Sequence, residues 1–186
     1  MSILRVAGLD PSLSNFGIAI ADLDTDDDTI TPLCLSLAET KPDKNAKNVR
    51  KSSQDYDRCK DIQHVLRLTL DNIDLIFVEM PIGSQSARAM ASYGMCIGII
   101  SGLAFPIIQV SPNEVKIATV GSRTASKNDM IDWATNKYPH EDWKITSAGR
   151  FIAKNEHMAD ALATIEAGLL TAEYSQAKVF MGGEIG

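Results

Sequence analysis

Three apolar runs open the chain, separated by turns too short to hold a crossover. Ile3 to Leu9 reads as a buried strand that ends at Asp10, where Pro11 breaks it. Phe16 to Leu23 reads as a second strand. The acidic stretch Asp24 to Thr29 makes a polar turn, and Ile30 to Ala38 returns as a third strand. Runs this close in sequence pair with their neighbours, so the opening is an antiparallel meander.

Beyond this meander, helix and strand signals alternate. Thr40 to Lys51 is a polar, basic connection. A helix is expected from Ser53 to Asn72, its apolar surface drawn from Ile62, Val65, Leu66, Leu68 and Leu70. Leu75 to Glu79 is a short apolar strand ending in a carboxylate. Pro81 and Gly83 break the chain before a helix from Ser84 to Leu103, and Ile107 to Val110 is another short buried strand. Ser111 caps a helix that starts at Pro112 and runs to Thr119. Ser126, with Asp129 at the third helical position, caps one that runs through Lys137. Tyr138 to Arg150 is irregular. A last helix is expected from Asn155 to Ala172, and the Gly-rich end makes 173–186 a mobile tail. This order predicts an α/β fold, a mixed sheet with helices packed on its faces. No internal repeat or Ser/Pro linker divides the chain, so residues 1–172 are expected to form one domain.

At 186 residues the chain can bury roughly 70% of its unfolded surface, so it needs neither metal nor disulfide to fold. A metal bound here has chemistry as its reason. Cys34, Cys59 and Cys96 lie far apart with no ligand spacing, which fits reduced thiols in the cytoplasm. Arg5 and Asp10 interrupt any secretory signal, and the longest apolar run, Met95 to Val110, is short for a membrane span and contains Pro106. No membrane is expected as a partner. The net charge of −6 argues against a polyanionic partner until its distribution is considered. Asp22, Asp24, Asp26, Asp27 and Asp28 fall within seven residues. Lys41, Lys44, Lys47, Arg50, Lys51, Arg58 and Lys60 then face only Asp43, Asp55 and Asp57. A local basic face can hold a polyanion on an acidic protein; the same stretch also reads as a solvated loop.

Asp10 lies just past the first strand and Glu79 at the end of the fourth. His157 and Asp160 are three apart in the last helix and share a face. Strand ends and helix termini of a mixed sheet can converge on one crevice. Three acids and an imidazole there would suit a hard divalent cation. Each residue also has an ordinary reading. Asp10 before Pro11 can open a turn, Glu79 can be a solvated strand end, and His157 and Asp160 can be polar positions near a helix start.

At these residues the sequence resembles a family, the RuvC-type Holliday-junction resolvases of the RNase H-like superfamily. GLDPSLSNFGIAI resembles the first strand, turn and second strand. LIFVEMPIGSQSARAM resembles the strand ending in the second acid with the long helix after it. VSPNEVKIATVGSRTASKNDMI resembles the basic segment with its two lysines, and NEHMADALATIEAGL the final helix. The likeness runs from Leu4 to Leu170. It implies an RNase H-like fold, a mixed five-stranded sheet with helices on both faces.

The resemblance implies that Asp10, Glu79, His157 and Asp160 are catalytic and hold two Mg²⁺ ions, with Mn²⁺ as a substitute. It places Lys116 and Lys127 near the scissile phosphate, positions that otherwise read as helix-surface lysines. Arg123, between them, is a DNA-contact candidate, and Arg50 and Lys51 are candidates for a junction arm. Some members carry an aromatic wedge after the second acid; here Ile82 stands there. Ser12 and Phe16 also depart from the common pattern, drift that would suit a bacteriophage-type member in a host cytoplasm. The implied reaction is hydrolysis of branched DNA by paired symmetric nicks. Such cuts need two sites, hence a homodimer. Gly94, Gly98 and Gly102, with Ala87 and Ala91 upstream, would let a second backbone approach the 84–103 helix, whether this domain's own sheet or a partner copy. An RNase H-type nuclease acting on RNA–DNA hybrids and a non-catalytic branched-DNA module share the same expected fold.

Overall fold

A computed structural model of the chain describes residues 3–43, 45 and 48–182. Five strands form one sheet: β1 (Ile3–Asp10), β2 (Asn15–Asp24), β3 (Thr29–Glu39), β4 (Leu75–Glu79) and β5 (Ile107–Val110), in the order β3-β2-β1-β4-β5. β1 pairs antiparallel with β2, and β2 with β3, as the short turns require. β4 lies parallel to β1, and β5 parallel to β4, because a helix returns the chain each time. The helices are α1 (Lys51–Thr69), α2 (Ala87–Ser101), α3 (Pro112–Val120), α4 (Lys127–Lys137), α5 (Asn155–Gly168) and α6 (Ala172–Gly182).

The two faces of the sheet follow from the two-residue alternation of strands. Ala7, Leu9, Ile18, Ile76 and Val78 point to one side, where Ile62 and Leu66 of α1 and Cys96, Ile99 and Ile100 of α2 cover them. Leu68 faces solvent, so the apolar stripe of α1 is narrower than expected. Val6, Ala19, Ala21 and Phe77 point to the other side, against Ala159, Ala161, Leu162 and Ile165 of α5. α3 and α4 then pack on the far side of α5 through Val115, Met130, Ala163 and Ala167. Both carry capping boxes, Ser111 with Glu114 and Ser126 with Asp129.

α5 is the central helix, with ten of its fourteen residues buried. It lies directly on a strip of very small residues. A methyl group on Gly8 would collide with the backbone of Ala161, and one on Gly17 with the backbone of His157. Gly17 pairs with Asp10 across β1 and β2, and Gly8 with Ala19. The helix therefore rests on backbone, not on side chains, beside the strand end that carries Asp10.

The C-terminal segment differs from expectation. The last helix ends at Gly168, and part of the segment read as a tail forms α6. Tyr174 is the reason. It is buried, packs 6.0 Å from the Phe77 ring and donates to Asp28 at 2.7 Å, while Lys178 pairs with the same carboxylate at 2.7 Å. The acidic turn between β2 and β3 thus docks α6. Residues 183–186 of the expected tail, and Lys44 and Lys47 of the basic stretch, lie outside the described residues.

Gly8→Ala is expected to lower stability by about 3 kcal/mol, since its methyl meets backbone that cannot move aside cheaply. Gly94→Ala, whose methyl meets open space in a helix, should be neutral or gain up to about 1 kcal/mol. Urea denaturation of both variants checks this, and equal effects would remove the close approach as the reason.

Candidate active site

Four ionisable side chains meet at the end of the sheet where β1 and β4 stop. The parallel pair brings Leu9 beside Val78, so Asp10 and Glu79 leave adjacent strand ends side by side. α5 enters over Gly17 and presents His157 in its first turn, with Asp160 on the same face three residues on. His157 Nδ1 lies 2.6 Å from Asp10 Oδ2, and the imidazole N–H donates when Asp10 is ionised. Nε2 then carries the free lone pair. Among the described residues the carboxylate oxygens of Glu79 and Asp160 accept no hydrogen bond, yet no side-chain oxygen is sealed off without a partner. Of the two, Glu79 lines an open cleft beside Asp10.

Burial without donors is unfavourable for charge, and the protonation equilibria show it. Burial first, then the charge of Asp10, pushes the Glu79 carboxyl up to about 8, against the pull of Lys116. Asp160 is raised well above the usual range by burial, Asp10 and Glu79. Asp10 is raised by burial in spite of its bond to His157. Burial lowers His157, but the hydrogen bond and charge of Asp10 outweigh it and carry the imidazole above its ordinary value.

The two lysines belong to the same field. Lys116, on α3, acts on Glu79 and Asp160. Lys127, at the start of α4, acts on Asp10 and forms an ion pair with Glu156 at 2.8 Å. Beside them a cleft of about 260 Å³ is lined by Asp10, Glu79, Pro81, Ile82, Tyr93 and Pro112 among others. Ile82 is 74% exposed on this rim. Arg123 is exposed in the loop leading to Lys127. Arg50 and Lys51 stand apart from the acids, exposed at the start of α1 on the other face of the sheet.

Several contributors were not picked out in the sequence. Gly8 and Gly17 set the approach of α5. Tyr93 of α2 lines the cleft, and Glu156 holds Lys127; an acid beside His157 in a first helical turn was the available signal. Arg58 is buried and fastens the turn after Asp10. It donates to Leu13 O at 3.1 Å, Ser14 Oγ at 2.8 Å, Thr40 Oγ1 at 2.9 Å and Asp55 Oδ1 at 3.2 Å. Asp55 in turn takes both terminal nitrogens of Arg88, at the start of α2.

Three carboxylates and an imidazole fit a hard dication in kind, and the unpaired, charge-crowded acids are what such an ion would neutralise. Among the described residues no group of three or more His, Cys, Asp or Glu side chains is placed so that it could hold a metal ion; the fit is one of residue type, and binding an ion would need these side chains to draw together. Among the described residues no helix is long and apolar enough to cross a membrane.

The fold is that of RuvC. Thermus thermophilus RuvC in complex with a Holliday junction substrate aligns over 94% of this chain and 96% of its own, at TM-score 0.63 and 19% identity. A second T. thermophilus RuvC structure aligns over 93% and 96%, at TM-score 0.60 and 19% identity. A fowlpox virus Holliday junction resolvase aligns over 93% and 99% at TM-score 0.48 and 17% identity, a likeness too low to bear on function. No family model and no curated protein matches the sequence. The mixed five-stranded, RNase H-like architecture expected from the sequence is therefore present, with helices on both faces.

A folded state that holds protons more tightly than the unfolded chain loses stability as pH rises. All four site groups shift upward, and for Glu79 the window runs from its ordinary 4.5 to about 8. In EDTA, Glu79→Gln is thus expected to raise the melting temperature at pH 8 by roughly 5 °C and to flatten its fall between pH 5 and 8. Thermal melts across that range check this; a variant less stable than the parent at pH 8 would show that the acids are not crowded.

Proposed function

We propose that this protein is a metal-dependent, structure-selective endodeoxyribonuclease that resolves four-way DNA junctions. The observation that carries the reading is the convergence of Asp10, Glu79 and Asp160, crowded and short of donors, with His157 where the central strands β1 and β4 end. The shared fold supports it, because the RuvC of T. thermophilus is seen with a Holliday junction substrate.

Asp10, Glu79 and Asp160 offer hard oxygen ligands and His157 a nitrogen for two Mg²⁺ ions, with Mn²⁺ as a substitute. When bound, such ions supply an activated water and neutralise charge on the phosphate and the leaving oxygen. Water attacks phosphorus, the bond to the 3′ oxygen breaks, and that oxygen takes a proton, leaving a 5′-phosphate and a 3′-hydroxyl. Lys116 makes no hydrogen bond among the described residues and is available to a phosphate oxygen. Lys127 is held ready by Glu156. Ile82 rims the cleft where DNA enters. Arg123, Arg50 and Lys51 bind phosphates of the arms, so affinity falls steeply with salt.

Two nicks need two copies, and α2 offers a surface for pairing. Met90 and Ile97 are exposed along it, and methyl groups added to Gly94 or Gly98 would meet open space, so this stripe does not serve the domain's own sheet. Apolar side chains flanking two exposed glycines suit close contact with a second α2.

The test is cleavage of a labelled synthetic four-way junction with Mg²⁺ or EDTA, beside Asp10→Asn. Paired nicks that need the cation and disappear in the variant, with binding kept, are expected. Binding without cleavage would point to a non-catalytic module, and cleavage of an RNA–DNA hybrid alone would move the substrate. Gly98→Leu is expected to give monomers in sedimentation and to lose paired cutting; a variant that stays dimeric removes α2 as the interface.

A further inference from the structure

Tyr138 to Arg150 reads as irregular in the sequence, but residues 144–151 form a closed hairpin that is exposed along its whole length. An isolated bridge joins Ile145 to Phe151, and Thr146 N–H donates to Arg150 O at 2.8 Å. Its base is anchored on both sides. Trp143, just before it, is buried and donates to Tyr138 O at 2.8 Å. Asn155, just after it, is buried and makes paired hydrogen bonds to the Lys144 backbone at 3.0 and 2.9 Å. The hairpin is thus a projection on a fixed footing.

Its surface is unusual for a solvated loop. Phe151 is 48% exposed and Ile145 59% exposed. Between Trp143 and Asn155 the charged residues are Lys144, Arg150 and Lys154, all basic, on a protein whose net charge is −6. Lys144 and Lys154 both bind Glu39, whereas the Arg150 guanidinium has no partner among the described residues. The footing also places it. Asn155 opens α5, two residues before His157, and Glu39 pairs with Asn15 in the register that sets Gly17 beside Asp10. The hairpin therefore rises at the same end of the sheet as the acids.

We infer that this hairpin is a nucleic-acid contact: Arg150 takes a backbone phosphate while Phe151, flanked by Ile145, packs on the face of a base left unstacked at the branch. An apolar ring beside an unpaired guanidinium matches the two surfaces that such a nucleotide offers. This rests on the junction-nuclease reading and adds to it a second contact, made by residues that do not line the cleft of Asp10, Glu79 and Ile82.

The test uses the full-length protein, a four-way junction with 2-aminopurine at the branch point, and a linear duplex of the same sequence. Both side chains are exposed, so Phe151→Ala and Arg150→Ala should melt as the parent does. Phe151→Ala is expected to weaken junction binding roughly 10-fold, to leave duplex binding unchanged and to abolish the branch-point fluorescence change. Arg150→Ala should weaken both and reduce the salt slope by about one. Variants that bind and signal as the parent does overturn the hairpin contact and leave the nuclease reading intact. A Phe151→Ala protein that changes oligomeric state instead assigns the hairpin to a contact between copies and overturns it too. A parent that binds no junction overturns both readings.

Discussion

The contact between the α5 backbone and the glycines beneath it is the constraint on which the site depends. Side chains ordinarily hold a helix away from a sheet. Gly8 and Gly17 remove that spacer where β1 and β2 pair, and Ala19 and Ala21 continue the strip. The first turn of α5 then lies low enough for His157 to meet Asp10 and for Asp160 to join Glu79. Larger residues at these positions would lift the helix and separate carboxylates that come from opposite ends of the chain. The chemistry of the four side chains is thus a consequence of two missing ones.

That closeness works against the folded state. Three acids share a partly buried corner in which, among the described residues, His157 is the single hydrogen-bond partner, and their charges oppose each other. Lys116 and Lys127 stand near enough to moderate the field without closing ion pairs on the acids. A site of this kind is destabilised in isolation, the usual relation between function and stability at a charged centre, and a cation bound there would relieve it.

Much of the fold was legible because it depends on local pattern. The five strands are short apolar runs with clear breaks, and both capping boxes put Ser three residues ahead of an acid. The same pattern put Asp10 and Glu79 at strand ends and His157 and Asp160 on one helix face. It could not bring them together, because that depends on glycines whose role appears only once α5 lies across them. α6 was missed for a similar reason. Its anchor is a bond between Tyr174 and Asp28, 146 residues apart, and the Gly-rich end after it pointed toward disorder. The hairpin at 144–151 was missed because it has no periodicity; its order comes from Trp143 and Asn155, one on each side of it.

Arg58 joins segments that would otherwise behave separately. One buried guanidinium serves Leu13, Ser14, Thr40 and Asp55, that is, the turn after Asp10, the end of β3 and the helix α1 on which it sits. Thr40 N–H also donates to Ser14 O at 3.0 Å, so the turn and the strand end are latched to each other as well. The turn beside Asp10 has no route to opening by itself. Freeing it means breaking the Arg58 bonds to Leu13 and Ser14 together with the Thr40–Ser14 bond, against a guanidinium that Asp55 holds on α1. In the language of hydrogen exchange, bonds shared in this way couple the opening of the two segments. The segment next to the acids is thereby expected to open with α1, although it is a loop.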